Sequence, residues 1–181
     1  MNTLLINDSL VLIIDVQEKL VQALNKNVIV EKAVKMASAA KILGIPVIVT
    51  EQYPKGLGTT VQELKDVLSE NTQYLEKASF NAFSENNIAE RIKNSGKKQI
   101  VIFGIETHIC VHQTAAALIE EGYEVYVIKD ACASRNKYEF KQGIEIMQAN
   151  GAKISCVEIA LFEWLKSAKH PNFKEVQTLI K

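Results

Sequence analysis

Residues 99–110 read QIVIFGIETHIC, an apolar run that leads through a glycine into a polar segment ending in a cysteine. A run as apolar as Gln99–Gly104 is expected of a β-strand that is covered on both faces. The next stretch, Cys110–Glu121, has apolar residues at helical spacing. A strand followed at once by a helix is the repeating unit of α/β proteins, and here it places Cys110 at the start of the helix.

The same alternation continues in both directions along the chain. Five further strands are predicted, at Ser9–Asp15, Pro46–Thr50, Gln73–Lys77, Glu124–Lys129 and Lys153–Val157. Further helices are predicted at Val28–Leu43, Asn87–Asn94, Tyr138–Asn150 and Ile159–Ala168. Strands that alternate with helices predict an α/β fold with a parallel sheet and right-handed crossovers. We expect one domain that covers residues 1–181.

Composition narrows the class of protein. The chain has 181 residues and zero formal net charge, from 21 Lys+Arg and 21 Asp+Glu, so it offers no electrostatic footprint for nucleic acid or an acidic membrane. No apolar run approaches the roughly 20 residues that span a bilayer. The start, MNTLLINDSL, lacks the features of a signal peptide, and three cysteines do not suggest a disulfide framework. These features predict a soluble, reduced, cytoplasmic protein.

Three residues whose side chains are charged or nucleophilic lie at or just past predicted strand ends: Asp15, Lys77 and Cys110. In parallel α/β sheets, ligands bind outside the carboxyl ends of the strands. A thiol in the first turn of a helix faces unpaired N–H groups, which favour the thiolate. Together these residues supply a base, a cation and a nucleophile, the parts needed for acyl transfer through a thioester.

Each of these residues also has a structural interpretation. Free cysteine is commonly a small buried hydrophobe, and that is the preferred interpretation of Cys132 and of Cys156, which we expect in the core. Asp15 could cap the turn that follows it, and Lys77 could be a solvated lysine. His108 and His112 are four residues apart, but the glutamate of a zinc peptidase and any CxxC pair are missing. KGLG at residues 55–58 is not a dinucleotide fingerprint.

Five segments in order resemble the isochorismatase-like cysteine hydrolases, and most closely the isochorismatase-domain-containing branch. They are LIIDVQEKL (12–20), TEQYPKGLG (50–58), EKASFNAF (76–83), GIETHICV (104–111) and DACASR (130–135), with HPNFKEVQTLIK at the C-terminus. The resemblance implies a three-layer α/β/α, Rossmann-like fold with a six-stranded parallel sheet. It implies a catalytic triad of Asp15 as the base, Lys77 as the cation and Cys110 as the nucleophile.

The resemblance extends to the surroundings of the triad. Backbone N–H groups around Cys110 would form an oxyanion hole, and Gln17, Ile105 and Glu106 are expected at the substrate or oxyanion site. Members of the family often carry a cis peptide before the nucleophile, which would fall at Ile105–Glu106. Relatives are commonly dimers or tetramers, so a homo-oligomer is expected.

Two departures from the family pattern reduce the number of activities that the resemblance implies. Nicotinamidases carry an Asp-x-His metal motif after the second strand, where this chain reads TEQYPKG, and isochorismatase itself lacks the nucleophilic cysteine. The resemblance therefore implies a metal-independent cysteine hydrolase, without a cofactor, that cleaves a C–N bond of a small amide or imide. Two alternatives stay open: a binding or scaffold protein of the same fold, and a thiol redox sensor. The substrate itself is not encoded in these motifs.

Overall fold

A computed structural model describes residues 3–24 and 27–181. The strands are β1 (Ser9–Ile14), β2 (Val47–Gln52), β3 (Tyr74–Lys77), β4 (Gln99–Ile105), β5 (Glu124–Ala133) and β6 (Lys153–Ser155). The α-helices are α1 (Glu18–Leu24), α2 (Asn27–Leu43), α3 (Pro54–Leu57), α4 (Gln62–Val67), α5 (Asn86–Asn94), α6 (His112–Glu120), α7 (Lys137–Ala149), α8 (Val157–Leu165) and α9 (Phe173–Thr178). A π-helical turn, Thr107–Val111, joins β4 to α6.

The six strands form one sheet in the order β3-β2-β1-β4-β5-β6, and every neighbouring pair is parallel. Helices cover both faces of the sheet, so the predicted three-layer architecture is confirmed. The strand order reverses between β1 and β4. In open parallel sheets this switch point is where a crevice opens at the carboxyl ends of the strands.

The two central strands form the middle of the core. All residues of β1 and β4 are buried, as expected of strands with helices on both faces. Gly104 pairs with Ile14 at the end of both strands. Its φ is +138°, and a Cβ atom here would overlap the carbonyl oxygen of Ile14. Glycine therefore lets the ends of β1 and β4 approach closely, which brings together the segments that follow them.

Several element boundaries differ from the sequence prediction. β2 continues to Gln52, and β5 continues through the charged pair Lys129–Asp130 to Ala133, because a register shift opposite Gly104 lets pairing with β4 resume. The placement of Cys156 in a core strand is wrong: β6 ends at Ser155, and Cys156 is the half-buried residue before α8.

The helices that the sequence did not predict are short or peripheral: α1, α3, α4 and α9. Their lengths of four to seven residues hold too few turns for a clear apolar period. Among the helices of residues 3–24 and 27–181, none combines the length and the apolar character that crossing a bilayer requires.

Candidate active site

Asp15 directly follows β1 and is completely buried. Its backbone is in the left-handed region, with φ +52°, a conformation that aspartate tolerates better than most residues. The Thr50 hydroxyl donates a hydrogen bond to Asp15 Oδ1 over 2.7 Å, and Lys77 Nζ lies 2.7 Å from Asp15 Oδ2. Each carboxylate oxygen therefore has its own partner.

Lys77 is the last residue of β3, and its side chain is also fully buried. Besides Asp15, its ammonium group contacts Gln52 Oε1 at 2.6 Å and the carbonyl oxygens of Ser79 and Phe80 at 3.2 and 3.4 Å. An ammonium group has three donors and no acceptor. All four of these partners are oxygen acceptors, so they suit an ammonium group held in one position.

Cys110 lies in the π-helical turn after β4, and only 7% of the residue is exposed. Its thiol is within hydrogen-bonding reach of both Asp15 and Lys77. Single π-helical turns are uncommon and occur frequently at functional sites. The structure thus brings together the three residues of the predicted triad, drawn from the ends of β1, β3 and β4.

The protonation state of Cys110 differs from the sequence expectation. Burial, and next the negative charge of Asp15, raise the pKa of the Cys110 thiol to about 12, while Lys77 acts in the opposite direction. Desolvation and the neighbouring carboxylate thus outweigh the lysine, whereas the sequence position alone favoured the thiolate. Burial also raises the pKa of Asp15, against the opposing effects of Lys77, Thr50 and Cys110.

The loop between β4 and Cys110 is shaped by Ile105 and Glu106. Their peptide bond is cis, as the family resemblance predicted, and Ile105 is fully buried. Glu106 Oε1 accepts hydrogen bonds from the backbone N–H of Arg135 at 3.2 Å and from Arg135 Nε at 2.9 Å. Since the Glu106 side chain is 11% exposed and that of Arg135 is 65% exposed, the pair lies at the surface side of the loop.

Gln17 connects the segment after β1 to the segment after β2. Its Oε1 accepts from the backbone N–H of Gln52 at 2.7 Å, and its Nε2 donates to the carbonyls of Gln52 and Gly58 at 3.1 and 2.6 Å. The Gln17 side chain thus braces the loop around the site. The roles of Gln17, Ile105 and Glu106 in binding substrate or an oxyanion stay predictions.

Two residues of the site were missed from the sequence, Thr50 and Gln52. They are two positions apart on β2, so their side chains share one face of the strand, the face toward Asp15 and Lys77. The intervening Glu51 instead accepts hydrogen bonds from the N–H and hydroxyl of Thr60, both at 2.7 Å. The run TEQ after PVIV was the available signal, because polar residues seldom end a buried strand without partners.

The two histidines of HICVH differ in their surroundings: His108 has a hydrogen-bonding partner, whereas His112 Nδ1 is buried without one among the described residues. His108 Nδ1 lies 2.9 Å from Ser134 Oγ, and burial lowers the pKa of His112. In the part of the chain that the structure describes, no group of three or more His, Cys, Asp or Glu side chains could hold a metal ion.

The fold and the site define a class: a three-layer α/β/α protein in which a carboxylate, an ammonium group and a thiol meet near the switch point of a parallel sheet. The chain belongs to the isochorismatase family, since the isochorismatase domain matches residues 9–159. Membership of this hydrolase family supports a hydrolase function.

Curated and solved relatives agree with the family. Isochorismatase domain-containing protein 1 of Danio rerio is 39% identical over 81% of this chain, which spans about half (51%) of that protein. A MAR1 ribonuclease from Caenorhabditis elegans superposes with a TM-score of 0.93 at 36% identity, covering 99% of this chain and 92% of that one. YcaC from Pseudomonas aeruginosa, solved with hexane-2,5-diol and covalent acrylamide, gives 0.92 at 25% identity, with 98% and 91% covered.

Proposed function

We propose that this protein is a metal-independent cysteine hydrolase that cleaves the C–N bond of a small amide or imide. The observation that carries the proposal is the buried contact of Asp15, Lys77 and the Cys110 thiol at the switch point of the sheet. A general base, a fixed cation and a nucleophile within hydrogen-bonding reach are the requirements of acyl transfer by covalent catalysis.

The first step starts from a neutral thiol. As Cys110 Sγ attacks the carbonyl carbon, its proton passes to Asp15, and the C=O electron pair moves to the oxygen to form a tetrahedral intermediate. The raised pKa of Cys110 makes a base in direct contact essential. Lys77 offsets the negative charge of Asp15 before the transfer and that of sulfur during it.

The second half of the cycle returns the site to its starting state. The intermediate collapses with cleavage of the C–N bond, and the leaving nitrogen takes the proton held by Asp15. Water then attacks the thioester while Asp15 accepts a proton from it. Collapse of this second intermediate breaks the C–S bond, the sulfur recovers the proton, and the carboxylic acid product leaves.

The burial of the site favours a small substrate. Only 7% of Cys110 and 4% of Lys77 are exposed, and Asp15 is not exposed at all. A compact carbonyl group reaches such a thiol more readily than a folded polypeptide or a nucleic-acid strand. Backbone N–H groups of the π-helical turn would receive the developing oxyanion. A homo-oligomer, a cytoplasmic location and the absence of a cofactor remain predictions.

Other functions rank lower on physical grounds. A redox sensor needs a thiolate, and burial of Cys110 opposes its formation. A ribonuclease activity is suggested by the Caenorhabditis elegans relative, which is described as a MAR1 ribonuclease. The zero net charge and the buried nucleophile of this chain favour an uncharged small molecule instead. A scaffold of the same fold would have no need of the buried charges.

The test is a screen of small amides and imides, with release of amine or ammonia as the readout and Cys110→Ala as the matched control. Turnover that Cys110→Ala abolishes, together with an acyl adduct on Cys110 in intact-protein mass spectrometry, is the expected result. Prolonged treatment with a chelator should leave the rate unchanged. Turnover that Cys110→Ala retains, or that chelation abolishes, would contradict the proposal, and so would cleavage of a defined RNA with no amide hydrolysed.

A further inference from the structure

Among the described residues, Gln52 makes the shortest contact with the Lys77 ammonium group. Its Oε1 lies 2.6 Å from Lys77 Nζ, whereas the carbonyls of Ser79 and Phe80 lie at 3.2 and 3.4 Å. Among the residues that the structure describes, the Asp15 carboxylate, at 2.7 Å, is the other close acceptor. Two acceptors therefore dominate the position of the cation, one charged and one neutral.

The orientation of the Gln52 amide is fixed by its other contacts. Its Nε2 donates to the carbonyl of Ala78 at 2.8 Å, which turns Oε1 toward Lys77. Gln17 holds the backbone of Gln52 from both sides, accepting from its N–H at 2.7 Å and donating to its carbonyl at 3.1 Å. Gln17 is two residues after Asp15. The segment that carries Asp15 is therefore linked to Lys77 through Gln52, whose backbone bonds Gln17 and whose side chain bonds Lys77.

The Gln52 amide accepts a hydrogen bond from Lys77 without adding a negative charge to the site. A carboxylate in place of the Gln52 amide would neutralise Lys77 and add a negative charge close to Asp15 and Cys110, which raises both of their pKa values. An apolar side chain would leave Lys77 without its nearest oxygen. The amide holds the ammonium group in place while leaving its charge available to Asp15 and to the sulfur.

We propose that Gln52 is a positioning residue, which holds the Lys77 cation between Asp15 and Cys110. The inference rests on the proposed function, but it is tested on the thiol alone, without a substrate. The measurement is the second-order rate of Cys110 modification by acrylamide across a series of pH values, followed by peptide mass spectrometry. Because this rate tracks the fraction of thiolate, it reports how strongly Lys77 stabilises the sulfur anion.

Gln52→Leu and Gln52→Glu should both slow modification of Cys110 by roughly threefold or more at a fixed, mildly alkaline pH. Lys77→Met should slow it further. The double variant Lys77→Met/Gln52→Leu should be no slower than Lys77→Met alone, because Gln52 acts only through Lys77. Gln62→Leu, which changes an exposed glutamine on α4, should match the wild type.

A folded Gln52→Leu protein with the wild-type rate would overturn the inference, and so would independent, multiplicative effects of Gln52→Leu and Lys77→Met. Should Gln52→Leu fail to fold, Gln52→Ala, which also removes the acceptor without adding a charge, decides the matter by the same criterion. A protein that hydrolyses no amide but shows the expected rates refutes the proposed function and leaves the role of Gln52 standing. If the wild type hydrolyses an amide but Cys110 of Gln52→Leu is modified at the wild-type rate, the inference is refuted and the proposed function stands.

Discussion

Lys77 Nζ lies 2.7 Å from Asp15 Oδ2, and the side chains of both residues are completely buried. Two opposite charges at this depth depend on one another, since removing one partner of a buried pair typically costs about 3–5 kcal/mol of stability. Such a pair is a weak source of stability compared with apolar packing. Its position beside the Cys110 thiol is better explained by chemistry than by folding.

Asp15→Asn keeps the shape of the side chain but removes the proton acceptor. Turnover of a substrate found in the amide screen should fall by about 10²–10⁴, the usual contribution of a positioned general base. Because residues that act as one unit are non-additive, Asp15→Asn/Cys110→Ala should be no slower than Cys110→Ala. The measurement is kcat in each variant, with the fold checked by circular dichroism. Near wild-type turnover in a folded Asp15→Asn protein would mean that Asp15 is not the base.

Thr50→Val tests the electrostatic balance of the base. The hydroxyl donates to Asp15 Oδ1 over 2.7 Å, and a hydrogen bond to the charged form lowers a carboxyl pKa. Burial already raises the pKa of Asp15, and losing this bond should raise it further. Since only the ionised carboxylate accepts a proton, the acid limb of kcat/KM should move to higher pH.

Thr60→Val is a matched control for Thr50→Val. Thr60 is equally buried, and its hydroxyl donates over 2.7 Å to a different carboxylate, that of Glu51. The control should lose stability without moving the acid limb. An acid limb that stays in place in Thr50→Val, or moves equally in both variants, would show that the hydroxyl of Thr50 does not set the pKa of the base.

The sequence predicted the sheet well because its strands are short apolar runs bounded by turns. The central strands β1 and β4 were found almost residue for residue, since burial on both faces leaves a continuous apolar signal. The lengths of β2 and β5 were underestimated, because Glu51–Gln52 and Lys129–Asp130 interrupt that signal. Glu51, Gln52 and Asp130 have partners in other segments, which a local pattern does not contain.

The sequence grouped Asp15, Lys77 and Cys110, which the structure places together, but it missed Thr50 and Gln52 and did not predict the electrostatics of the group. Asp15, Lys77 and Cys110 stand at strand ends, and the common edge of a parallel sheet is a sound reason to group them. The raised pKa of the Cys110 thiol depends on how deeply the π-helical turn is buried and on the nearby charge of Asp15. The burial of the turn and its proximity to Asp15 are set by tertiary packing, which a local sequence pattern does not contain.

The order of cysteine alkylation follows from burial. Cys110 and Cys132 are each only 7% exposed, and burial is the main cause that raises both thiol pKa values to about 12. Cys156 is half-buried at the start of α8. A limiting dose of iodoacetamide near neutral pH should therefore modify Cys156 first, as read by peptide mass spectrometry. In urea the three rates should converge, and preferential labelling of native Cys110 would argue for a resting thiolate.

Gly143→Ala tests how α7 supports the nucleophile. A glycine in a helix interior usually costs about 1 kcal/mol relative to alanine, so on propensity alone this change should stabilise the protein. A Cβ atom at position 143 would, however, lie 2.9 Å from His108 Cα and 3.1 Å from the carbonyl carbon of Thr107. Both atoms belong to the backbone of the turn that carries Cys110, so the turn must move.

We expect Gly143→Ala to lose about 1–3 kcal/mol of stability, the usual cost of overpacking, and to lower turnover through displacement of Cys110. Urea unfolding measures the first effect and kcat the second. Lys141→Ala, at an exposed position of the same helix, is the control and should change neither appreciably. A Gly143→Ala protein that is more stable than the wild type and fully active would show that α7 leaves room for a methyl group and does not constrain the nucleophile turn.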